Sequence, residues 1–103
     1  MIDMVDPHSD ASRVLGERIR AIRQQLGLSQ EDVAELAEMH VTNVGKMERG
    51  QANPSLSTLI SVAGALNVDP AALVKELTPE MIPGRTHKFT AADLIKERTR
   101  RQA

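Results

Sequence analysis

The side chains best placed to do chemistry in this sequence gather between Gln30 and Asn53. Lys46 can donate to O6 and N7 of guanine, and the methyl groups of Val41 and Thr42 suit the methyl of thymine. Asn43, Arg49 and Asn53 carry donors of the kind that hold phosphate oxygens and fix register without reading sequence. The other reactive residue types are not arranged for catalysis or metal binding. His8, His40 and His87 are scattered, with no ligand-spaced carboxylates around them. Cysteine is absent, which removes disulfides and thiolate metal sites. The Ser and Asp residues fall at helix starts, and there is no glycine-rich phosphate loop. The expectation is a protein that is not an enzyme and uses no cofactor.

Helices must position these donors. Leu15, Ile19, Ile22 and Leu26 recur at four- and three-residue steps and predict a first helix over 12–26, stopped by Gly27. Ser29, with Asp32 at the reciprocal position, predicts the cap of a second helix over 30–37, with Val33, Leu36 and Ala37 as its apolar stripe. After Glu38, Met39 and His40, a third helix is expected over 41–49, with Val44, Met47 and Glu48 inward and Gly50 at its end. Ser55 caps a fourth helix with Leu56, Leu59, Ile60, Ala63 and Leu66 on one face, and Asn67 ends it. Asp69-Pro70 opens a fifth helix over 70–77. Residues 78–87 read as a linker. Thr90 and Asp93 have capping-box form, so a sixth helix is expected over 90–101, marginal on its own.

Bulk properties set limits. A chain of 103 residues holds one small core plus tails: an arm over 1–11, a domain over 12–77 and a basic tail over 78–103. The arm is expected to be flexible. Phe89 is the single aromatic residue, so the core is aliphatic, and the base-stacking platforms of single-strand and RNA binders are missing. No apolar run reaches membrane length and the first residues lack the form of a secretion signal, which predicts a cytoplasmic protein with no membrane partner. The net charge of -1 is not that of a typical nucleic-acid binder. It is unevenly spread, however, and duplex binding needs only a local positive face.

Two short helices joined by a three-residue turn form a helix-turn-helix, whose second helix suits the major groove. Several stretches, in this order, resemble the phage repressor and Cro type of helix-turn-helix domain, the XRE family. They are Leu15-Gly16-Glu17-Arg18-Ile19-Arg20, Gly27-Leu28-Ser29-Gln30-Glu31, Ala34, Glu48-Arg49-Gly50 and Asn53-Pro54-Ser55-Leu56. The resemblance covers about residues 14–77. His40, Thr42, Val44-Gly45 and Met47-Glu48-Arg49-Gly50 are also similar to controller proteins of restriction–modification systems.

The resemblance implies an all-α, five-helix repressor-like domain, with the sixth helix added beyond it, that binds double-stranded operator DNA as a homodimer. It implies base reading by Val41, Thr42 and Lys46, and phosphate contact by Gln30, Asn43, Arg49 and Asn53. It also implies that Arg23 pairs with Glu48, whose inward position suits no unpaired charge. The chain departs from the family pattern at four places. Glu38 replaces the usual turn glycine, and His40 the usual Ser or Thr cap. Gly45 interrupts the recognition helix, with room for closer approach to DNA, and Val41 makes readout there apolar.

A dimer would draw on the outer parts of Leu66, Val68, Leu73, Val74 and Leu77, the remainder closing the core. Three roles are open to residues 78–103. Phe89, Leu94 and Ile95 would dock on a protein partner, as in an antitoxin or adaptor. Lys88, Lys96, Arg98, Arg100 and Arg101 would reach phosphates or embrace a second subunit. Or the segment is a solvated basic tail.

Overall fold

The computed structural model describes residues 6–84 and 90–102, all helix, turn and loop. Helices α1 (Asp10–Gln25), α2 (Gln30–Leu36), α3 (Val41–Glu48), α4 (Leu56–Ala65) and α5 (Pro70–Val74) form the globular unit. A single 3-10 turn (Pro79–Met81) follows, and α6 (Ala91–Gln102) lies beyond it in sequence. The architecture is the expected all-α one. Phe89, Lys88 and Arg85 fall outside the described residues, as does His87.

Local chemistry sets the helix starts. Ser9 Oγ accepts from the Ser12 amide at 3.0 Å, so α1 begins at Asp10, ahead of the expected Ser12. Just before it, His8 is tied to the domain, its amide donating to the Gly50 carbonyl at 2.7 Å. Ser29 and Asp32 close a reciprocal capping box on α2, with bonds of 3.0 and 2.8 Å. Ser55 and Asp69 cap α4 and α5. Caps of this kind contribute about 1 kcal/mol each.

The ends depend on backbone conformation. Asn67 ends α4 with φ 57°. Helix α5 stops at Val74 rather than Leu77, since Lys75 is extended and Glu76 takes φ 63°. Glu38 has φ 55°, so the turn after α2 does need a left-handed residue, and a glutamate there costs roughly 1 kcal/mol against glycine.

Leu15, Ile19, Val33, Val44, Val62, Leu66 and Leu73 meet in one aliphatic core, and full burial of each such side chain stabilises the fold by about 1.5–3 kcal/mol. Helix α3 packs on α1 and α2, and α5 on α1 and α4. Gly16 permits the close approach of α1 to the end of α3: a Cβ there would run into the carbonyl oxygens of Met47 and Glu48.

Two expected stripes are narrower than their sequence patterns. Leu36 is 59% exposed and lies off the face formed by Val33, Ala34 and Ala37. On α4 the inward face is Leu59, Val62, Ala63 and Leu66, whereas Leu56 and Ile60 are 72% and 51% exposed. In both helices the aliphatic arc exceeds what the core can cover.

Candidate nucleic-acid interface

At 100° per residue, Thr42, Lys46 and Arg49 fall on one face of α3, four and then three positions apart. Thr42, Lys46 and Arg49 are exposed, with Asn43 exposed beside them and Val41 37% exposed on the flank toward α2. Val44, Met47 and Glu48 fill the opposite face and are buried. The helix therefore presents a polar stripe to solvent along most of its length.

His40 makes no side-chain bond to the start of α3, so the helix lacks the cap that serves α2, α4 and α5. Its anchorage is a charged bolt underneath. Arg23 donates from Nε to Glu48 Oε2 at 2.6 Å and from Nη2 to Oε1 at 2.9 Å, a bidentate pair. Arg23 Nη1 also donates to the Leu28 carbonyl at 2.8 Å. The hydrogen bond to Glu48 holds the Arg23 guanidinium above its ordinary pKa. No buried side-chain nitrogen or oxygen lacks a partner among the described residues.

Gln30 joins this network, its Nε2 donating to Glu48 Oε1 at 3.1 Å. A side-chain amide has two N–H groups, so a second one is left to donate outward. Gly45 supplies the floor beside it. A Cβ there would sit 3.0 Å from Arg49 Nη1 and 3.5 Å from Gln30 Oε1. The expectation for Gly45 is closer approach to DNA; in the structure two protein side chains, Arg49 and Gln30, converge over it. Arg49 Nε also donates to Gln51 Oε1 at 3.1 Å, a bond that sequence did not suggest and that only proximity in the chain could have signalled.

On the other flank, Asn43, Lys46 and Asn53 line a shallow cleft with Met39, Ser55 and Thr58. The structure thus gathers the seven residues proposed for base and phosphate contact around α3: Gln30, Arg49 and Val41 on one side, Asn43 and Asn53 on the other, and Thr42 and Lys46 between. Of the apolar dimer residues, Leu66 and Leu73 are 1% and 0% exposed and belong to the core. Val68 and Leu77 are half-buried, and Val74 is 41% exposed. Sequence reasoning missed Leu56 and Ile60 as outward residues, because helical periodicity placed them with the core.

No group of His, Asp or Glu suited to a metal occurs among the described residues, and no helix there is long and apolar enough to cross a membrane.

Comparison with known proteins agrees with this geometry. The helix-turn-helix family HTH_3 matches residues 19–73. The immunity repressor protein of Bacillus phage phi105 is 45% identical over 64 residues, which is 62% of this chain and 44% of that protein. The chain therefore spans less than half the length of that relative. The restriction–modification controller protein C.AhdI from Aeromonas hydrophila superposes with a TM-score of 0.59 at 40% identity, covering 60% of this chain and 94% of the controller. The P22 c2 repressor, solved with a synthetic operator, superposes with a TM-score of 0.58 at 29% identity, covering 60% and 94%. These relatives are regulators rather than enzymes. The chain belongs to the XRE-type helix-turn-helix family of transcriptional regulators.

Proposed function

We propose that the protein is a sequence-specific transcriptional repressor that binds a palindromic operator as a homodimer. The observation that carries this reading is the exposed face of α3, polar along its length and braced from beneath by Arg23 and Glu48. Val41, Thr42 and Lys46 read base edges in the major groove. Gln30 and Arg49, and on the other side Asn43 and Asn53, hold the flanking phosphates and set the depth of insertion. Acting on DNA, the protein works in the cytoplasm. It represses where its site overlaps a promoter.

Two-fold symmetry would place two copies of α3 about 34 Å apart, on half-sites roughly 10 bp apart. Surplus apolar surface supports a second copy. Leu56 and Ile60 stand one turn apart on the open side of α4, and Val74 is exposed on α5, with the outer parts of Val68 and Leu77. Gly64 follows Ile60 on that side, and a Cβ there would meet nothing within 4 Å.

Selection from random duplex DNA tests the reading. An enriched palindrome with half-sites one helical turn apart is expected, together with a dimeric mass in sedimentation. Retention without enrichment would reject sequence-specific binding, and a monomer at high concentration would reject the dimer.

A further inference from the structure

The charges of this chain are divided in a way the recognition helix does not explain. From Arg85 onward the sequence carries Arg85, Lys88, Lys96, Arg98, Arg100 and Arg101 against Asp93 and Glu97, a balance of +4. Because the whole chain is at -1, residues 1–84 stand at -5. Several cations of the globular unit are already engaged. Arg23 is bound to Glu48, Arg13 lies between Asp10 and Glu17 at 3.7 and 2.9 Å, and Arg18 donates to the Leu73 carbonyl at 3.0 Å. Glu31, Asp32, Glu35 and Glu38 are exposed on α2 and its turn, next to α3 in the chain. Duplex DNA carries one negative charge per roughly 1.7 Å of its axis, so such a unit approaches it with little electrostatic help.

Helix α6 is built to carry the missing charge. It has no buried residue, and its order comes from local devices. Thr90 and Asp93 close a capping box, with bonds of 3.0 and 3.2 Å. Glu97 binds Arg100 at 2.6 Å and Arg101 at 3.2 Å. Lys96 and Arg98 are exposed and make no ion pair among the described residues. The apolar residues do not favour a protein groove. A helix that docks in one carries apolar anchors at i, i+3, i+4 and i+7. Here Ala91, Leu94 and Ile95 are followed by Arg98 at the i+7 position, and Leu94 by Arg101, so the stripe turns basic after two turns.

We infer that the C-terminal segment is a second, sequence-indifferent DNA contact, in which α6 lays its cations on duplex phosphates beside the site read by α3. This rests on the DNA-binding reading above and extends it. Recognition and electrostatic attraction are separated in the chain: α3 supplies the first from an acidic unit, and α6 the second.

The test compares the full chain with the variant Lys96→Gln/Arg98→Gln/Arg100→Gln/Arg101→Gln, using fluorescence anisotropy over a salt series. Two duplexes serve as probes, the selected operator and a random sequence of the same length. Affinity should fall at least about ten-fold on both, with their ratio unchanged, and the slope of log K against log salt should flatten by up to about 0.9 per lost contact. The variant Lys96→Gln/Arg98→Gln keeps the Glu97 pairs, and hence the helix, and should show about half the effect. Unchanged affinity and slope on both duplexes would overturn the inference while leaving α3 as the reader. So would a loss confined to the operator. Failure of the intact chain to bind either duplex would overturn both readings.

Discussion

Helices α3 and α6 are both short, yet they stand for opposite reasons. Helix α3 has a poor cap in His40 and a glycine in its interior, and local propensity gives it little support. It is held by what lies beneath it: Val44, Met47, the Gly16 contact and the Arg23–Glu48 pair. Helix α6 has a capping box, intrahelical ion pairs and a basic C-terminus that complements the helix dipole, but no buried residue. Groove insertion needs a rigid element of fixed orientation, which packing provides. Contact with phosphates needs only a surface of cations, which a solvated helix provides.

Breaking the bolt beneath α3 should give the largest effect. Arg23→Met or Glu48→Leu alone leaves a buried charge without its partner, and each should cost about 3 kcal/mol in chemical denaturation. The double substitution should cost clearly less than the two losses together. Additive losses would show that the pair does not hold α3.

Gly45→Ala should separate stability from function. Alanine raises helix propensity by about 1 kcal/mol, so the melting temperature should rise. Its Cβ would sit 3.0 Å from the Arg49 guanidinium, which must give by a few tenths of an ångström, so affinity for every duplex should fall slightly. In an Arg49→Ala background the binding loss should vanish. An Arg49→Ala protein that binds DNA as tightly as the parent would remove Arg49 from the interface.

The smallest effects concern the capping boxes. Hydrogen bonds from Ser29 and Thr90 hold the Asp32 and Asp93 carboxyls below their ordinary pKa. Their contribution is fully present above the unfolded carboxylate value of about 4 and is lost as pH falls through the lower folded values. Acid should therefore fray α6 in circular dichroism. Thr90→Ala should do so at neutral pH without moving the domain's melting temperature.

How much the sequence disclosed follows the same division. The starts of α2, α4, α5 and α6 were legible because Ser29, Ser55, Asp69 and Thr90 act through neighbouring amides. The place of α3 was legible through spacing and family motifs, since its own propensity is poor. Leu36, Leu56 and Ile60 were misplaced because periodicity reports that a face is apolar, not whether a neighbour covers it. The convergence of Gln30 and Arg49 over Gly45 joins α2 to the end of α3, and no local pattern encodes it.

The account's central claim is that the outer face of α3 reads bases, and Lys46→Gln tests it most directly. Lysine pairs with the acceptors of guanine, whereas glutamine pairs bidentately with adenine. Repeating the duplex selection with this variant should change the preferred base at one symmetric position in each half-site, from G·C toward A·T, and leave the rest of the palindrome as it was. An operator identical to that of the parent protein would contradict the claim.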